Sequence, residues 1–89
     1  MEKKEDEEFL KDIAQKAANA LHMPLGDIEP GKLLQMFIRL DILFGGDKEL
    51  MRHWLNQHNK HLEFCPGAYL TSEYHMNKIL GYLDGMINH

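Results

Sequence analysis

The sequence is poor in cysteine, tryptophan and proline, with one, one and three of them. A lone thiol, Cys65, excludes any disulfide within the chain and fits a reducing compartment. No stretch approaches the ~18 consecutive apolar residues of a membrane-crossing helix, and no charged-then-apolar leader precedes a small-residue cleavage site. A cytoplasmic location is expected on these counts. Positive charge is the minority sign, with 10 Lys and Arg against 14 Asp and Glu and a net charge of −4. That balance argues against a nucleic-acid footprint, which needs clustered Lys and Arg on a basic domain. Strict apolar–polar alternation is lacking, as are Asn-Gly or Asp-Gly turns between apolar runs. The expected fold is therefore all-α, and the chain shows no internal repeats or low-complexity segments.

What the chain does have is enough for one domain, residues 1–89, with 44% hydrophobic residues. A chain this short buries little more than about 60% of its unfolded surface, so self-association or a partner would supplement its stability. Helical spacing of Phe9, Ile13, Ala17 and Ala20 predicts a first amphipathic helix from about residue 6 to 22, ended by Pro24 and Gly26. Its charged start, Met1 to Glu8, is expected to fray, with Asp6, Glu7 and Glu8 suited to a helix N-terminus. Pro30 suits the first position of a second helix. Between Gly31 and Phe44, Lys32, Gln35 and Arg39 form a narrow polar stripe on an otherwise apolar cylinder. Such a helix belongs at the centre of a bundle or in an oligomer seam.

Gly45-Gly46 supplies a left-handed stop, and Asp47 opens a third helix to about residue 57. That helix faces inward with Leu50, Met51, Trp54 and Leu55, and Trp54 is the largest apolar surface available to the core. Asn56 to Cys65 reads as an irregular turn and Pro66 to Leu70 as one helical turn. Thr71 or Ser72 then caps a last helix whose apolar stripe is Met76, Ile79, Leu80, Leu83 and Ile87. The expected architecture is a bundle of four main helices with one or two short extra turns. Phe37, Leu40, Phe44, Leu50, Trp54, Leu55, Leu62, Leu70, Ile79 and Leu83 form its predicted core.

Four potential metal ligands, His53, His58, His61 and Cys65, fall close together, but their spacing fits none of the usual zinc patterns. Solvated histidines are the expected reading, with no metal and no cofactor. Cys65 with a nearby His has the residue types of a nucleophile and base, yet no third group orients them, and no enzyme is expected. Asn56 and Asn59 either terminate the third helix or present amides to a partner. Tyr69 and Tyr74 flank an exposed turn and suit partner contacts, while Glu73 and Asp84 read as solvated helix-face charges. Gly81 and Gly85 share one helix face, which marks either a close backbone approach or tolerated weakness near a terminus.

From about Leu33 onward the chain resembles the antitoxin Xre/MbcA/ParS toxin-binding domain family. The matching residues, in order, are Gly46-Asp47, Trp54-Leu55, Asn59, Leu62, Pro66, Leu70, Thr71, Ile79, Leu83 and Ile87. They span roughly two-thirds of the chain, and the specificity lies in the ordered set. Glu63-Phe64-Cys65 departs from the family's Gly-rich turn, and Tyr74 stands where the family usually has Gly. The part before residue 31 is short: an N-terminal helix and connector, a reduced helix-turn-helix-like region ahead of a toxin-binding-like region at 31–89.

The resemblance implies a helical, often dimeric protein that catalyses nothing and silences a partner toxin, commonly of the RES-domain type that consumes NAD. Inhibition would come from packing the 56–69 turn, the last helix and the C-terminal end over the toxin's substrate pocket. The partner-facing residues on this view are Asn56, Asn59, His61, Tyr69, Tyr74, Asp84, Asn88 and His89. A DNA-binding regulator of the same lineage is the first alternative, and a small metal-binding domain the second. The acidic balance and the lack of a basic recognition helix weigh against DNA contact through this chain.

Overall fold

Three helices pack around a central fourth. The computed structural model describes residues 2–88, with side chains from Glu7 onward, and in order the helices are α1 (Glu2–Ala20), α2 (Pro30–Phe44), α3 (Lys48–Leu55) and α4 (Glu73–Ile87). A 3-10 turn, Pro66–Ala68, precedes α4. Among the described residues the only β-type pairing is an isolated bridge between Asn59 and Phe64, so the fold is all-α.

The second, third and fourth helices begin where local chemistry satisfies their free amides. Glu29 caps α2, its carboxylate accepting from Gly31 N at 3.1 Å and Lys32 N at 2.8 Å, while Pro30 takes the position that needs no donor. Gly45 then ends α2 in the left-handed region at φ 59°, a conformation a side chain would strain. Asp47 caps α3 through Glu49 N and Leu50 N, and Ser72 Oγ accepts from His75 N at the start of α4. Of the two candidate caps for α4, Ser72 is the one used. Helical structure holds from Glu2, through most of the charged start expected to fray and ahead of the helix start expected near residue 6, while Met1 lies outside the described residues.

α2 touches α1, α3 and α4, which makes it the central helix. Its fully buried side chains are Leu33, Met36 and Leu40. Met51 and Leu55 of α3, Met76, Ile79 and Leu83 of α4, and Ala14 and Ala18 of α1 close around them. The small α1 residues let that helix lie close to α2. Full burial of each large side chain contributes about 1.5–3 kcal/mol relative to leaving it exposed. Leu62 and Leu70 seal the core from the turn side.

The predicted core needs correction at four positions. Leu50 is 47% exposed, because it lies about 100° around α3 from buried Met51 and no element covers that side. Phe37, Phe44 and Trp54 are half-buried and pack against the rim of the core. Trp54 leans on Tyr82, whose ring lies 6.4 Å away and only 10° from parallel. The aromatic pair thus flanks the core, and aliphatic and Met side chains fill its centre. α2 is not enclosed all round: Ile38 and Ile42 are 55% and 59% exposed.

Candidate partner-binding surface

The segment from Asn56 to Ser72 connects α3 to α4 and is held in one shape by its own polar groups. Asn56 ends α3: its backbone N–H donates to Arg52 O and His53 O, and its side-chain amide to Arg52 O at 2.8 Å. Asn59 organises the next turn. Its Oδ1 accepts from His61 N at 2.9 Å and Leu62 N at 3.0 Å, while its backbone pairs with Phe64 and Glu63. Both asparagines therefore spend their side-chain amides or carbonyls on the chain itself. Asn56 thus terminates α3 and Asn59 closes the turn through its carbonyl oxygen.

Glu63 adopts φ +70° in this turn, the left-handed region glycine favours. A non-glycine residue there costs on the order of 1–2 kcal/mol. Where the family has a Gly-rich turn, this chain keeps the glycine-like conformation with a side chain present. Cys65 Sγ donates to Leu55 O at 3.2 Å, which occupies the thiol and pins the turn against α3. Gly67 presses on the same carbonyl: a Cβ added there would lie 2.7 Å from Leu55 O, closer than real contacts allow. Glycine is required at this point by close approach.

Aromatic rings form two groups on this surface. In one, Tyr82 lies between Trp54 and His61, the His61 ring being 5.7 Å away and 23° from parallel. In the other, Tyr69 stacks on His75 at 4.4 Å, and Phe64 and Tyr74 meet His75 edge-on. Ser72 Oγ lies 2.7 Å from His75 Nδ1 and fixes that ring from the helix start. Tyr69 and Tyr74 remain 42% and 65% exposed, with Lys78 Nζ 5.0 Å above the Tyr74 ring. Further along α4, Gly81 and Gly85 have nothing within 4 Å of where a Cβ would stand. The fold itself does not require glycine at either site.

The partner-facing residues expected from the resemblance are thus only partly assembled into one surface. His61, Tyr69 and Tyr74 are exposed around the turn and the start of α4. Asp84 lies apart from them on the α2 side of α4, where Arg39 Nε donates to its Oδ1 at 2.6 Å, so this carboxylate ties two helices together. Asn88 is exposed and caps α4 through its backbone N–H to Asp84 O; His89 lies outside the described residues. His53 sits on α3 and Cys65 faces Leu55, and among the described residues no three His, Cys, Asp or Glu side chains converge as metal ligands. His75 and Tyr82, central to the two ring groups, were not singled out from the sequence. Their i, i+7 spacing on α4 was the available signal.

A second, chemically different surface lies between α1 and α2. Ile13, Lys16, Ala17, Leu34, Phe37 and Ile38 line an open groove of about 350 Å³ whose walls are almost wholly apolar. Phe9, one turn before Ile13 on α1, is 67% exposed, and Ile42 continues the stripe beyond Ile38. No described helix is long and apolar enough to cross a membrane.

Comparison with known proteins gives one family match. The model of the antitoxin Xre/MbcA/ParS C-terminal toxin-binding domain matches residues 39–86, from the second half of α2 through α3 and the turn to the last turn of α4. No curated protein and no solved structure matches the chain. The matched segment is more than half of the 89 residues and contains the capped α3, the pinned turn and the two ring groups. This chain belongs to the antitoxin Xre/MbcA/ParS toxin-binding domain family.

Proposed function

We propose that the chain is a non-catalytic antitoxin that silences an NAD-consuming toxin of the RES type by lying over its active site. The covering surface is the 56–69 turn with the exposed side and C-terminal end of α4. The observation that carries this reading is the family match at 39–86, which falls on the part of the molecule where Tyr69 and Tyr74 stand exposed. Tyrosine offers a large, amphipathic contact area with few rotatable bonds. The open backbone at Gly81 and Gly85 gives a partner main chain room to approach. Asp84 serves this surface indirectly, by fixing α4 on α2 through Arg39.

Residues 1–89 act as one cytoplasmic domain, and the α1–α2 groove is where a second copy packs. A two-fold arrangement sets the exposed Phe9, Ile38 and Ile42 of each copy against the same apolar face of the other, which is self-complementary by symmetry. The net charge of −4 keeps DNA out of the proposal. The test is affinity capture of the tagged protein from its native cells, with mass spectrometry of the partner and assay of its NAD consumption. A stoichiometric partner whose NAD turnover falls to zero as antitoxin is titrated in is the expected result. A stable complex that leaves NAD turnover intact contradicts it.

A further inference from the structure

The stretch between Glu49 and Glu63 contains no carboxylate, although the protein as a whole carries an excess of them. It contains instead Arg52, His53, His58, Lys60 and His61. Arg52 is engaged internally, donating from Nη1 to Ala20 O at 2.9 Å, which joins α3 to the end of α1. His58, Lys60 and His61 are exposed, and none forms an ion pair or side-chain hydrogen bond among the described residues. Lys16, Arg39 and Lys48, by contrast, each meet an internal carboxylate.

These unspent donors line a shallow concavity of about 250 Å³ together with Trp54, Gln57 and Asn59. Half-buried Trp54, backed by Tyr82, supplies an apolar wall. Lys60 provides a positive charge, and the imidazoles and the Gln57 amide provide further N–H donors. The backbone that presents them is fixed by the Asn59 turn, so little ordering entropy is lost on binding.

We propose that this shelf receives a carboxylate-bearing segment of the partner protein, an acidic loop or chain end with an apolar or aromatic side chain set against Trp54. The assignment rests on the antitoxin reading and specifies the chemistry of the toxin segment that docks. Charge complementarity selects the occupant: an acidic segment meets Lys60 and a row of donors in a lining that contains no carboxylate, whereas a basic one would leave the donors unmatched. A nucleic-acid strand is the rival polyanion, and an oligonucleotide arm of the test separates it from an acidic peptide.

The test uses the isolated protein and a defined probe, hexaglutamate peptide, followed by amide chemical shifts. Shifts confined to residues 57–62 and Tyr82, weakened about tenfold by His58→Ala with Lys60→Ala, and reduced on raising salt from about 0.05 to about 0.5 M, are expected. Hexalysine should leave these amides unmoved. The proposal is overturned if hexaglutamate shifts other regions or acts equally on the double variant. It is likewise overturned if a single-stranded oligonucleotide shifts the same amides at lower concentration. Because no toxin is present, failure here removes only the acidic-segment assignment. A toxin complex that never forms removes the antitoxin reading itself.

Discussion

Along α1 and α2 the molecule exposes Phe9, Ile38 and Ile42 beside a groove with apolar walls. Around the turn and α4 it exposes tyrosines, histidines and Lys60 over a backbone held by side-chain hydrogen bonds. The first surface offers area and no direction, which suits a copy of itself. The second offers placed donors and stacked rings, which suit recognition of a different protein. The two share the core helix α2 but no exposed residue. A small domain can thereby separate assembly from recognition.

Breaking both surfaces together calls for the core between them. Leu40→Ala leaves a cavity on the central helix and should cost about 2–5 kcal/mol, a large part of the stability of a domain this size. Urea unfolding followed by Trp54 fluorescence checks this, and self-association and partner binding should fall together. Separating the surfaces needs changes on one side only. Ile38→Glu with Ile42→Glu should convert a dimer to monomer by light scattering, while unfolding stability of the monomer moves by about 0.5 kcal/mol or less. A dimer that survives would mean that copies meet elsewhere.

On the recognition side, Gly67→Ala forces a methyl against Leu55 O and should destabilise by about 1–3 kcal/mol, loosening the turn while the dimer persists. The smallest effect sharpens the comparison most. Gly81→Ala meets open space inside a helix, so the free protein should gain about 1 kcal/mol in thermal unfolding while partner affinity declines. A gain in stability with unchanged affinity would remove the α4 glycine face from the interface.

The helix plan was legible because its stops and caps are local: Pro30, Gly45, Asp47 and Ser72 act on neighbours within about one turn. The central place of α2 was legible from its apolar circumference. Which part of that circumference lacks a neighbour was not, since periodicity marks an apolar face without saying what covers it. Leu50 was misjudged for that reason. Trp54 shows that size alone does not place a residue at the centre, because Tyr82 on a distant helix offered its ring a stacked position at the rim. Asp84 could not be read as a tie because its partner, Arg39, lies 45 residues away in sequence. The turn asparagines were half legible: their residue type suggested closure, and the geometry shows which atoms make it.

Hydrogen–deuterium exchange on the protein with and without its captured toxin tests the division of labour most directly. Added protection at 56–69 and along the exposed side of α4, with none added around Phe9, Ile38 and Ile42, is the predicted pattern. Protection confined to the α1–α2 face would contradict it and assign toxin binding to the apolar groove.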